Sequence, residues 1–177
     1  MARIKPLEYE EVGPGMRAEY DLQVGTSGRV TNMKRTLAHS PVAFRALMQW
    51  YDLHAEVVAF LGDRLTTLFA HAISSQTDCL ICSTFFRRLL IDAGEDPDRL
   101  TLDERERAVV EYGRQLVKDP NAVSEELYGR LARFFGPAEM VALTAFGGLM
   151  IATNVFNNAL SVDLDDYLKP FRKPGGV

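Results

Sequence analysis

Cys79 and Cys82 are the only cysteines in the chain, and they stand three residues apart in Cys79-Leu80-Ile81-Cys82. A spacing of i, i+3 puts both sulfurs on one helix face, close enough to bridge. At a helix N-terminus, free N–H groups and the positive end of the dipole stabilise a thiolate. One thiolate then attacks an oxidant or a disulfide, and the other resolves the product as an internal disulfide. Asp78 works against Cys79, because a neighbouring carboxylate raises a thiol's pKa, whereas Cys82 lies one turn further in. The plainer reading is a pair of small buried residues with no reactivity. Two cysteines this close cannot staple a fold, and in a reducing compartment they stay thiols. Tetrahedral zinc wants four ligands, yet His39, His54 and His71 all precede the motif and no histidine follows it. No zinc site is expected.

The elements that must position this motif read as helices. Ser40-Pro41 is a strong start, Ser at N-cap and Pro at N1, for a helix running to Leu61 and stopped by Gly62. A short helix over 32–39, capped by Asn32, precedes it. Asp63 caps a helix to about Ser75. Thr77 or Asp78 caps the next, from Cys79 to Ala93, closed by Gly94. Thr101-Leu102-Asp103-Glu104 reads as a capping box for a helix to about Val117. Ser124 caps another, and Pro137 is N1 of a long apolar helix to about Leu160, with one further turn over 163–168. No segment shows sustained strand alternation, so the class is all-α. The helix over 137–160 is apolar nearly all round and must be covered on every side, which in a chain of 177 residues favours an oligomer.

Residues 1–31, punctuated by Gly13-Pro14-Gly15 and by Gly25 and Gly28, read as an extended N-terminal arm with little regular structure that needs a neighbour to lie on. Residues 32–168 form the helical domain. Residues 169–177, with two prolines and two glycines, read as a flexible tail. A net charge of −4 without basic runs argues against nucleic acid. The N-terminus has no apolar signal-peptide core, and the weakly charged stretch over 140–156 is short of the ~20 apolar residues of a membrane span. No membrane partner and a cytoplasmic location are therefore expected.

The stretch from Arg64 to Cys82, RLTTLFAHAISSQTDCLIC, resembles the core of the carboxymuconolactone decarboxylase/AhpD-like alkylhydroperoxidase family. So does the preceding Asn32-x-x-Arg35-Thr36-Leu37-Ala38-His39-Ser40-Pro41, and Asn154-Val155-Phe156-Asn157 fits the closing helix of that family. The resemblance covers roughly residues 32–168. It implies an all-helical fold assembling as dimers, trimers or hexamers, and reduction of hydroperoxides by the C-x-x-C pair with a separate thiol electron donor. It implies no cofactor. It also implies that the second cysteine, Cys82, attacks. The family's relay Glu, separated from the motif by eleven residues, falls on Thr67, and its relay His, separated from it by three, falls on Phe86.

His71, one turn after Thr67 and two turns before Cys79, is a substitute for that relay on spacing alone. A Thr67–His71 hydrogen bond would orient its imidazole toward the thiols. Phe86 replaces a polar group with an apolar wall, which raises a neighbouring thiol's pKa by desolvation. Arg87 or Arg88 would offset this. Asn154 and Asn158 share a helix face and either reach the site or tie down backbone. Cys79, Cys82 and His71 are thus the candidate catalytic residues of a thiol-dependent peroxidase. A redox sensor or weakened family member is the alternative. A lactone decarboxylase-type enzyme ranks last, because the acid/base set and the Arg or Lys for an anionic substrate do not stand out in the sequence.

Overall fold

The structure, a computed structural model, describes residues 2–173. The all-α class is borne out: among the described residues there are nine α-helices, three short 3-10 helices and no strand. In chain order the helices are α1 (Pro14–Ser27), α2 (Asn32–Leu37), α3 (Pro41–Met48), α4 (Trp50–Leu61), α5 (Asp63–Gln76), α6 (Leu80–Asp92), α7 (Glu104–Lys118), α8 (Glu125–Ala132) and α9 (Pro137–Ala159). The centre is α5, which packs on α4, α6, α7 and α9. Its buried face carries Leu65, Leu68, Phe69, Ala72 and Ile73 at 3- and 4-residue spacing. Two glycines let neighbours approach it: a Cβ on Gly113 of α7 would stand 2.9 Å from Phe69, and one on Gly147 of α9 would stand 3.1 Å from the same ring.

The N-terminal arm is corrected. Residues 14–27 are a helix, with Pro14 at N1 and Gly28 in the left-handed region (φ 71°) as its C-cap. The Gly and Pro that read as loop punctuation are its start and stop signals. Met16, Tyr20 and Gln23 form its buried face, and Val12, Met16 and Tyr20 build a second core with Leu37, Ala38 and Phe44. The preceding residues lie on their own chain: Arg3 donates to the carbonyls of Ala159 (2.9 Å) and Leu160 (3.0 Å), satisfying the end of α9.

Other boundaries shift for local reasons. The helix expected over 41–61 breaks at Gln49, where α3 turns Phe44 into the second core and α4 turns Val57 and Leu61 into the main one. Thr31, not Asn32, caps α2 by accepting from Lys34 N–H, and Gly62 rather than Asp63 precedes α5. The capping box is Asp103 with Glu106 rather than Thr101 with Glu104. The last turn is a 3-10 helix, Asp166–Phe171, so the segment expected to be a loose tail is structured up to Phe171, with Leu168 buried against α6. Residues 174–177 of that tail lie outside the described residues. Helix α9 is, against expectation, long and apolar enough to cross a membrane by length and composition. It nonetheless packs along α4 and α5, burying Leu143, Phe146 and Met150.

Candidate active site

Cys79 is itself the N-cap of α6, the role expected of Thr77 or Asp78. The chain reaches it through Asp78, whose φ of 51° lies in the left-handed region that Asp tolerates better than most residues. That turn is pinned by Cys79 N–H donating to the Ser74 carbonyl at 3.0 Å. Both cysteines are free and buried. The amide N–H groups of Ile81 and Cys82 face the Cys79 sulfur, and the Cys82 thiol donates a hydrogen bond to it. These effects, the thiol donor first, bring the Cys79 pKa down to about 7 against the opposing effect of burial. Cys82 shifts the other way: donation to Cys79 and burial push it up. The pair therefore shares one proton, with the negative charge resting on Cys79. Asp78 is exposed and does not prevent this.

A third residue closes the site. Asn157, on α9, points its amide nitrogen at Cys82 Sγ (3.3 Å) and more distantly at Cys79 Sγ (3.9 Å). It is buried, and its Oδ1 has no partner. Sequence reading passed over Asn157 in favour of its neighbours. Asn154 instead donates to Thr77 Oγ1 (2.9 Å) and Ser74 Oγ (3.4 Å), and Asn158 to the Thr77 carbonyl (2.8 Å). Those two tie α9 to the α5–α6 turn. The run Asn154, Asn157, Asn158 at i, i+3, i+4 on an apolar helix was the available signal.

Among the described residues no hydrogen bond joins His71 to either sulfur or to Thr67. Its charged surroundings are Arg87, Arg114, Asp98 and Lys173. Burial first, then these arginines, push its pKa down to about 4, so it is neutral near pH 7. Arg87 pairs with Asp98 (2.6 Å) and Arg88 with Asp92 (3.1 Å), so each is met by a carboxylate. His39 bonds the Lys5 carbonyl, and His54 stacks on Trp50 at 4.6 Å between centroids.

Cys82, but not Cys79, lines a cavity of about 360 Å³. Phe86 and Phe85 form its wall on α6, and Trp50, Met150 and Leu168 enclose it from α4, α9 and the last turn. Trp50 is fixed by its indole N–H, which points at Met150 Sδ (2.8 Å). Tyr51 and Arg88 also line it; sequence reading missed Lys34 and Asp165, because these residues are distant in the chain and carry no shared motif.

No protein-family model matches the sequence, and no curated protein is significantly similar to it. Solved structures do match. An uncharacterized peroxidase-related protein with an alkylhydroperoxidase AhpD core, from Ralstonia eutropha JMP134, superposes with a TM-score of 0.76 at 18% identity, covering 94% of each chain. The debrominase Bmp8, as a cysteine-to-alanine variant in complex with 2,3,4-tribromopyrrole, gives 0.77 at 16% identity, covering 95% of this chain and 94% of its own. An uncharacterized peroxidase-related protein from Silicibacter sp. TM1040 gives 0.71 at 16% identity over 95% and 96%. The chain thus has the AhpD-like helical fold, as the resemblance implied.

Proposed function

We propose that the protein is a thiol-dependent peroxidase in which Cys82 attacks a hydroperoxide and Cys79 serves as both proton store and resolving thiol. The observation that carries this is the division of labour in the pair: Cys82 faces the cavity, while Cys79 sits behind it at the helix N-terminus with the low pKa. Transfer of the Cys82 proton to Cys79 gives a Cys82 thiolate facing the substrate. That thiolate attacks the terminal peroxide oxygen and breaks the O–O bond, forming Cys82 sulfenic acid. The leaving alkoxide takes the proton from Cys79 and departs as an alcohol. The Cys79 thiolate then attacks the sulfenic sulfur, forming the disulfide and releasing hydroxide. An external thiol restores the dithiol by exchange. A thiol of pKa about 7 is well matched to proton transfer near neutrality. It stands in for the Glu–His relay whose positions hold Thr67 and Phe86, so activity below that of relay-bearing members is part of the reading. His71 has no role in it.

The test is stopped-flow mixing of the reduced protein with tert-butyl hydroperoxide, alongside Cys79→Ser and Cys82→Ser. Cys82→Ser loses the reaction. Cys79→Ser reacts more slowly and stops at a sulfenic acid trapped by dimedone. A wild-type rate no faster than that of a free thiol refutes the peroxidase and favours a redox sensor.

A second reading rests on the aromatic lining of the cavity and on the likeness to Bmp8: two-electron removal of halogen from a halogenated heteroaromatic ring. Two thiols and a carbon–halogen bond then become a disulfide, a carbon–hydrogen bond and hydrogen halide. Halide release from 2,3,4-tribromopyrrole under the same conditions decides between them.

A cytoplasmic location and a homo-oligomer belong to the same proposal. Exposed Val141, Ala145, Gly148, Ala152 and Val155 form an apolar seam along α9, alternating steps of four and three. Sedimentation velocity of the reduced protein checks the assembly.

A further inference from the structure

The cavity beside Cys82 has a cationic end. Lys34 lines it and is only 3% exposed. Its ammonium donates to Gln23 Oε1 and to the Tyr51 hydroxyl (2.7 Å), and among the described residues no carboxylate pairs with it. Two neutral acceptors leave one of its three protons unmet. An ammonium withdrawn from water without a counter-charge is costly, and a docked anion offsets that cost. The carboxylate on the lining, Asp165, is half engaged: its Oδ2 is buried without a partner, and burial raises its pKa. It accepts from the Asn32 backbone N–H at 2.9 Å, and the cations acting on it are Arg35 and Arg29. Arg29 adds a second positive group at the cavity edge, with its guanidinium 4.0 Å above the Tyr167 ring.

Shape and donor count narrow the ligand. The Tyr51 hydroxyl accepts from Lys34, so its own proton remains to be donated. One ammonium proton and one phenolic proton match the two oxygens of a carboxylate. Of the three cations on the lining, Arg88 is paired with Asp92 (3.1 Å) and Arg29 acts on Asp165, so a doubly charged phosphate would meet one uncompensated cation, Lys34. The remaining wall is apolar and largely aromatic, including Trp50, Phe85, Phe86 and Leu168. At about 360 Å³ the cavity exceeds twice the ~150 Å³ that holds a benzene ring, which leaves room for two fused rings.

We propose that this end of the cavity binds the carboxylate of a two-ring aromatic acid, with Lys34 and Tyr51 as its ligands and the ring system directed toward Cys82. The inference deepens the reading of Cys82 as the reacting thiol: the substrate is then a hydroperoxide carried on such an acid.

The test is calorimetric titration of the Cys82→Ser protein with 2-naphthoate and with its uncharged counterpart, 2-naphthalenemethanol. Because that protein cannot turn over peroxide, binding is scored independently of activity. Naphthoate binds at least tenfold tighter than the alcohol. Lys34→Gln in the same background removes that tenfold preference and leaves the alcohol's affinity unchanged. Tyr51→Phe, at a partly exposed position, lowers naphthoate affinity several-fold and serves should Lys34→Gln fail to fold. Equal affinity for acid and alcohol, no binding of naphthoate at millimolar concentration, or an undiminished preference in Tyr51→Phe each overturns the proposal. If naphthoate fails while tert-butyl hydroperoxide is still reduced by the wild type, the anion site falls and the peroxidase stands. If naphthoate binds while no peroxide is reduced, the converse holds.

Discussion

Replacing Asn157 by leucine removes the one side-chain amide that faces both sulfurs while keeping nearly the same volume. A hydrogen bond to a charged acceptor contributes about 1.5–3 kcal/mol. At 1.36 kcal/mol per pKa unit that amounts to about one to two units. The contact to Cys79 is long, at 3.9 Å, so the lower end applies to the thiol that carries the charge. From about 7, the Cys79 pKa should rise to about 8, and the thiolate fraction at pH 7 should fall from about one half to about one tenth. The ultraviolet thiolate absorbance of the reduced protein, followed against pH, should therefore be about fivefold lower at pH 7 and converge with the wild type above pH ~9. The variant should fold with little net change in stability, because loss of the bonds to the sulfurs is offset by removal of Oδ1, which is buried without a partner. A pH profile superimposable on the wild type would show that the amide does not stabilise the thiolate.

Other outcomes follow from the packing and the charges. His71, with its pKa at about 4, binds fewer protons folded than unfolded between about pH 4 and 6.5, so stability should fall as pH drops through that window. The loss is ~3 kcal/mol at most, and His71→Gln should flatten that part of a urea-denaturation series against pH. Gly113→Ala drives a methyl to 2.9 Å from the fully buried Phe69 ring and 3.2 Å from Ile73. Overpacking of about 1–3 kcal/mol outweighs the gain of about 1 kcal/mol in helix propensity, and thermal melting should show a net loss. Asn154→Ala frees the Thr77 and Ser74 hydroxyls from α9 and should cost about 1–2 kcal/mol. Hydrogen exchange should then rise first at the α5–α6 turn.

Helix content was legible because each helix needs only local signals: Ser40, Ser124 and Pro137 stand at the starts the sequence assigns them. The N-terminal helix was not, because the same Gly and Pro mark loops or helix ends depending on whether an apolar face lies between them. Its face, Met16, Tyr20 and Gln23, is short and ends in a polar residue. The dithiol was legible as a motif and as a helix start. The ordering of its two pKa values was not, since it depends on which sulfur donates to the other. Asn157 was in view but undistinguished from Asn154 and Asn158 until the rotation of α9 was fixed. His71 had suitable spacing on α5, yet spacing along one helix does not say which neighbour it faces.

The helix that read as an unstructured arm supplies the last consequence. Gln23 of α1 holds Lys34, and Lys34 with Tyr51 forms the far wall of the cavity, while the sulfurs, their turn and Asn157 belong to α5, α6 and α9. The cationic wall and the sulfurs thus come from separate stretches of the chain that face each other across one cavity. If Lys34 and Tyr51 select the ligand, changes there can retune what enters while leaving the sulfurs in place; Met33 is the exception, because it touches the Asn157 amide that faces the sulfurs.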